Sequence, residues 1–187
     1  MSVSKLRFVW LLFFVFSAAS CGEENSSDNE AKLPPREPFF LTDQAGWRAM
    51  TKEEDPFADE GLYQDCIEGG FKVETTILEV ETDICPYVTL TQPTKQDILP
   101  GDEIDFSFWH LVLVSESSAS AHVVIRLGDF FEFERTITIP SSEMIYPVRW
   151  KATEKIPSGT TIYFHLHNHG FNSYRLSEIE VTPASSN

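Results

Sequence analysis

The sequence predicts an all-β domain, an antiparallel β-sandwich of jelly-roll type with about eight strands, and three observations predict it. From Phe71 onward, short β-branched and aromatic runs alternate with turn signals at intervals of about ten residues. No segment keeps a helical period over three turns. The chain of 187 residues is 42% hydrophobic and 13% aromatic, which excludes disorder throughout and provides enough apolar surface for one core.

In chain order, strands are expected near 71–80, 85–92, 103–114, 121–128, 130–140, 145–153, 160–169 and 172–182. Pro100-Gly101-Asp102, Ser115–Ser120, Gly128-Asp129, Pro140–Glu143, Pro157–Gly159 and Gly170 punctuate them, because glycine and proline set turn geometry and serine competes for backbone hydrogen bonds. Upstream, Thr42–Met50 reads as one short helix or irregular segment with Thr42 as its cap. No internal repeat interrupts this order.

The first residues carry an address. Lys5 and Arg7 precede the unbroken apolar run Phe8–Phe16, which trails into Ser17-Ala18-Ala19-Ser20-Cys21. That run is shorter than the roughly 20 residues a membrane-spanning helix needs, and it ends in small residues, so it reads as an export signal. Ala18-Ala19-Ser20-Cys21 resembles the lipobox of bacterial lipoproteins. The resemblance implies fatty acylation of Cys21, with palmitate-type chains, after removal of 1–20. Ordinary cleavage is the alternative and leaves Cys21 unlipidated. Gly22 after the cysteine implies delivery to an outer membrane, on its periplasmic or surface side. Residues 21–37 then form an acidic, Pro34-Pro35-containing tether, and 38–187 the sandwich.

Charge narrows the partners. The chain has 29 Asp and Glu against 14 Lys and Arg, a formal charge of -15, so nucleic acid is excluded as a partner and an anionic bilayer would repel the domain. The acyl group, not charge, must supply the membrane attachment. Setting Cys21 aside leaves Cys66 and Cys85, an even pair in an oxidising compartment. They are expected to form a disulfide that closes a loop of about 20 residues and contributes roughly 3 kcal/mol.

Gly101–Trp109, Val148–Thr153, Gly159–Leu166 and Tyr174–Val181 resemble the strand succession of galactose-binding-like jelly rolls, in particular carbohydrate-binding modules. The resemblance spans roughly 71–183 and implies a non-catalytic module with a carbohydrate or envelope-polymer ligand.

The histidines supply the candidate site. In His165-Leu166-His167-Asn168-His169 a period of two places the imidazoles on one strand face, opposite the core-facing Ile162, Phe164 and Leu166. In a jelly roll the strand at 121–128 lies alongside and adds His122 and Arg126. Strand 85–92 adds Tyr87 and Thr89, and strand 130–140 adds Glu132 and Glu134. A ligand surface of Tyr87, His122, Arg126, His165 and His167 follows, with Trp109 as a sugar-stacking ring on the opposite sheet. A Zn or Cu site built from His122, His165, His167 and His169 is the alternative, since neighbouring imidazoles two residues apart can converge on one ion. A further alternative is a scaffold that binds another envelope protein, and the plainest is that these residues are polar because they face water. His110 and Trp150 have core parity.

Searches for enzyme motifs are negative: the sequence holds no Gly-rich phosphate loop, no His-Glu-X-X-His and no Gly-X-Ser-X-Gly. The acidic stretch Asp55–Gly61 lacks the alternate spacing of a calcium loop and leaves structural Ca as a minor reading. Clustered solvent-facing imidazoles predict binding that changes between about pH 5 and 8.

Overall fold

Turn chemistry divides the chain into twelve strands among the described residues: β1 (Phe39–Phe40), β2 (Arg48–Ala49), β3 (Phe71–Glu74), β4 (Ile77–Glu81), β5 (Tyr87–Pro93), β6 (Glu103–His110), β7 (Ala119–Leu127), β8 (Phe131–Ile139), β9 (Met144–Lys151), β10 (Thr161–Asn168), β11 (Ser173–Ser177) and β12 (Glu180–Thr182). The computed structural model describes residues 35–58 and 63–185. The export signal, Cys21, most of the tether and the second half of the acidic stretch lie outside the described residues. Among the described residues, no helix is long and apolar enough to cross a membrane.

The strands form two antiparallel sheets. One follows the order β1-β12-β6-β11-β4-β3, with β9 on the other side of β6, and the second runs β2-β5-β10-β7-β8. The expected jelly-roll sandwich is therefore present. Phe106, Phe108, Ile125, Phe164, Leu90 and Tyr174 fill the space between the sheets, and Phe108 stacks on Tyr174 with ring centroids 6.1 Å apart. Strand β6 alternates buried and half-buried residues along its whole length, the pattern of a sheet with one face on the core.

Four expected elements differ from those observed. The strand expected at 71–80 is the hairpin β3–β4, turned at Thr75, whose φ of 60° is uncommon for a β-branched residue. The last strand splits at Glu178-Ile179 into β11 and β12. Strand β6 ends at His110, and Leu111–Val114 leaves the sheet with one remaining bridge, Leu113 to Ser141. In place of the helix at 42–50 there is a single 3-10 turn, Gln44–Gly46, capped by Asp43 rather than Thr42, followed by β2 pairing with β5. The Asp43 carboxylate accepts from Ala45 N at 3.0 Å, while Gln92 Oε1 accepts from Asp43 N at 2.8 Å. A Cβ on Gly46 would come within 2.9 Å of that Gln92 oxygen, so the turn is fitted to β5.

The Cys66–Cys85 disulfide is formed, as expected. Gly70 makes room for it, because a Cβ there would lie 2.6 Å from Cys85 Cβ and 2.8 Å from Cys66 Sγ. His110 is buried as parity required and donates from Nδ1 to Leu111 O at 2.7 Å, an orientation set by the carbonyl, which can only accept. Trp150 is only half-buried, against Phe131 at 5.1 Å.

The sandwich has two ends. At one, buried Asp102 accepts from Arg36 Nη1 at 2.8 Å, Leu99 N at 2.8 Å and Ala184 N at 3.0 Å, so one carboxylate ties residues near both ends of the described domain. At the other end the loops 82–86, 111–118, 140–143 and 168–172 meet.

Candidate functional site

Strand β10 lies between β5 and β7, and register places His165 opposite Thr89 and Val124, and His167 opposite Tyr87 and His122. The four side chains Tyr87, His122, His165 and His167 thus share one layer and one outer face. Ring centroids are 5.0 Å apart for Tyr87 and His165, 5.9 Å for Tyr87 and His167, and 5.5 Å for His122 and His165.

That face is not open to water, which corrects the expected solvent-facing patch: His165 is 0%, Tyr87 1% and His167 9% exposed. Residues 51–58 lie across it. The Asp55 carboxylate accepts from Tyr87 OH at 2.9 Å and from Thr89 Oγ1 at 2.8 Å, and Phe57 stacks on His165 at 4.5 Å. Alternation correctly put these residues off the core side, but Asp55-Pro56-Phe57 supplies a carboxylate and a ring that complete them into a second small interior. The carboxylate read as a minor calcium candidate thus has three protein donors, the third being Phe57 N at 2.9 Å.

Chemistry fixes the His165 tautomer. The single Thr89 hydroxyl proton goes to Asp55, which can only accept, so Thr89 Oγ1 accepts from Nδ1–H of His165 at 2.8 Å. Burial, with smaller contributions from the neighbouring His122 and His167 charges, pushes the His165 pKa down to about 3. This imidazole stays neutral at every physiological pH. His122 is half-exposed and meets Glu134 Oε1 through Nε2 at 2.8 Å. His169 is exposed, 4.7 Å from His167. Among the described residues no group of three or more His, Cys, Asp or Glu is arranged to hold a metal ion. Arg126 sits over both Phe57 and Tyr163, with its guanidinium carbon 5.0 and 4.7 Å from the two ring centroids.

Trp109 lies on the outer face of the other sheet, half-buried, in register with Ile145 on one side and Arg175 on the other. Arg175 Nε donates to the buried Glu79 carboxylate at 2.8 Å. Trp109 is on the sheet opposite Tyr87 and the histidines, as its parity predicts.

A large open concavity is elsewhere, at the end of the sandwich where loops 82–86, 115–120 and 168–171 meet. It has a volume of about 800 Å³, within the range of roughly 300–1,000 Å³ typical of ligand sites. Its floor is a buried polar network. Asn168 Nδ2 donates to Thr82 Oγ1 at 2.7 Å and to Gly170 O at 2.9 Å, while Asn168 Oδ1 accepts from Tyr174 OH at 2.7 Å. Asn172 exchanges bonds with the neighbouring loop, its Oδ1 accepting from Val114 N at 2.8 Å. Gly170 has φ 123°, and a Cβ there would meet Val114 O at 2.6 Å, so only glycine closes this wall.

On this fixed floor stand Asp83, Ser115, Ser117, Ser118, His169 and Phe171. Phe171 is 73% exposed, an apolar ring held out at a loop tip. Among the described residues no Lys or Arg lines the cleft. Hydroxyls, an amide floor, one carboxylate, one imidazole and one ring can match a ligand that offers hydroxyls at its edge and C–H groups on its face. The sequence reading treated Ser115–Ser120 and Gly170 as punctuation and passed over Phe171. The available signal was an aromatic residue placed inside a turn, between Gly170 and Asn172, where no core face needs one.

No protein-family model matches the chain, and no curated protein matches it. Solved structures align with it at low identity. The Clostridium thermocellum endo-1,4-beta-D-xylanase 10B CBM22-1–GH10 modules, complexed with xylohexaose, align over 81% of this chain at 11% identity and TM-score 0.37, and the aligned region is 28% of the xylanase chain. A CBM4 structure aligns over 74% of this chain and 94% of its own, at 11% identity and TM-score 0.41. The family 11 carbohydrate-binding module from Clostridium thermocellum, in complex with a mixed-linked tetrasaccharide, aligns over 81% and 99%, at 13% identity and TM-score 0.39. Likeness at this level carries no ligand with it, and the functional reading rests on the cleft itself.

Proposed function

We propose that this domain is a non-catalytic binding module for a carbohydrate or carbohydrate-containing envelope polymer, that the cleft walled by 82–86, 115–120 and 168–171 is its site, and that a lipid on Cys21 carries it outside the cytoplasm, at an outer membrane. One observation supports the reading above others: a floor of mutually hydrogen-bonded, buried Thr82, Asn168 and Asn172 holds an exposed Phe171 beside a serine-rich rim. A site ordered before binding loses less entropy when its ligand arrives, and a sugar needs both paired polar partners and an apolar face. The neighbouring solved modules are named for sugars, and the same ligand class is proposed here on the chemistry of this cleft.

The test is calorimetric titration with soluble plant and bacterial polysaccharides. Binding that Phe171→Ala weakens at least tenfold, with an unchanged melting temperature, supports the reading. Absence of binding to any of them, or equal binding by the variant, counts against it.

A protein partner is the second reading, favoured by the exposed apolar side chains Leu111, Val112, Met144 and Ile145 beside Trp109, with Ile145 65% exposed. Crosslinking in cells that retrieves one dominant envelope protein, lost in Ile145→Asp, would favour it.

A further inference from the structure

We propose that the domain carries a second saccharide-binding cleft at the far end of β7, so that one module holds two sites; this rests on the carbohydrate reading of the first cleft. Ser120 lines the first cleft, and Arg126 and Gly128 line the second. Eight residues of strand separate Ser120 from Gly128, which at about 3.3 Å per residue is roughly 26 Å.

The second cleft, of about 310 Å³, is walled by Arg126, Gly128, Asp129, Phe130, Phe131 and Glu132. Its rigidity comes from the β7–β8 turn. Gly128 N donates to Thr161 O at 2.9 Å, and Gly128 has φ 49° with Thr160 Cγ2 only 2.9 Å from where a Cβ would sit, so the turn is packed onto the loop before β10.

Arg126 is the unusual member. In a chain with a formal charge of -15, its register partner on β8 is Glu132, yet among the described residues its guanidinium makes no hydrogen bond or ion pair. It is held instead by the rings of Phe57 and Tyr163, with a buried Nε left without a partner. A guanidinium only donates and a carboxylate only accepts. Arg126 with exposed Glu132 and Asp129 therefore offers donors and acceptors side by side, and half-buried Phe130 offers a ring. Neutral hydroxyl groups, which both donate and accept, use the whole set. An anionic ligand would meet the two carboxylates. The small volume, near the lower limit of ligand sites, suits a single sugar unit, where the first cleft suits a longer stretch.

Two sites on one rigid strand make a bivalent module. It can grip one polymer chain twice or join two chains, and linked binding of this kind gains roughly 10²–10⁴ in avidity without new contacts.

Titration with cello-, xylo- and galacto-oligosaccharides reads the number of sites directly. The wild type is expected to bind two equivalents of the oligosaccharide it accepts, Phe171→Ala one, Glu132→Gln one, and the double variant none. Glu132 is exposed, so its substitution leaves the fold intact, and melting curves check this. Polymer affinity should fall roughly 100-fold in either single variant. If the wild type binds one equivalent and Phe171→Ala abolishes it, the second cleft is refuted while the first stands. If Phe171→Ala retains the full affinity and stoichiometry, the first cleft is refuted. If no oligosaccharide binds, both fall together.

Discussion

His165 donates to Thr89 across the β10–β5 register, Nδ1 to Oγ1 at 2.8 Å, and the same Thr89 oxygen donates its proton to Asp55 at 2.8 Å. This chain of two bonds holds an outward-pointing histidine that burial keeps neutral. It also means that the chemistry most visible in the sequence helps to hold the 51–58 segment onto the sheet.

Stability should therefore depend on acid in a definite window. The folded pKa of His165 is depressed to about 3 from its ordinary value of 6.5, so between those values the unfolded chain binds the proton and the folded chain does not. Stability is full above about pH 6.5 and falls as pH drops toward 3, by on the order of 1 kcal/mol per pH unit from this group. Urea denaturation at about pH 7 and about pH 4.5 measures it. His165→Gln should flatten the difference between the two, and an unchanged difference would place the acid sensitivity elsewhere.

Asp55→Ala removes the acceptor of two buried hydroxyls, Tyr87 OH and Thr89 Oγ1. Leaving buried donors unsatisfied costs about 1–3 kcal/mol each, so the melting temperature should drop by several degrees. Asp55→Asn keeps an acceptor oxygen and should lose less. Equal melting of all three proteins would mean that the segment does not depend on this carboxylate.

The floor of the first cleft makes a separate claim. Thr82→Val leaves Asn168 Nδ2 and Asn172 N without the hydroxyl they share, at 2.7 and 2.9 Å in the native protein. Destabilisation of about 1–3 kcal/mol is expected, together with weaker polysaccharide binding. Ser118→Ala, on the exposed rim, should weaken binding and leave denaturation unchanged. A pattern in which both variants change stability alone would separate the cleft from function.

Reduction should loosen the segment that covers the histidines, because Cys66 is joined to Cys85 just before β5. The Cys66→Ser, Cys85→Ser double variant is expected to lose about 2–5 kcal/mol of stability. Proteolysis mapped by mass spectrometry should show first cleavage between residues 51 and 58, since the broken disulfide no longer anchors the chain that follows them. First cleavage in the sheets would contradict this.

Much of the fold was legible because it follows from alternation. Phe106 and Phe108 against Ser107 and Trp109 give β6 its two faces, and the same parity brought His122, Tyr87 and His165 onto one layer. Parity says which side of a sheet a residue takes, but not what covers that side. Strand β10 is buried from Phe164 to Asn168 without interruption, and over His165 the cause lies more than a hundred residues earlier, in Phe57. Thr75 at a left-handed φ broke an expected strand where no glycine or proline marked a turn. The cleft was illegible for a related reason. Thr82, Val114 and the Asn168–Asn172 pair are distant in sequence, and they become one floor only when three loops meet at the end of the sandwich.

Isotope-edited NMR of the domain titrated with a bound polysaccharide tests the central claim most directly. The expected result is that backbone signals of Ser117, Asn168, His169 and Phe171 shift first and saturate together, while Trp109, Ile145 and Arg175 on the outer face of the other sheet stay in place. Shifts confined to Trp109, Ile145 and Arg175 would contradict it.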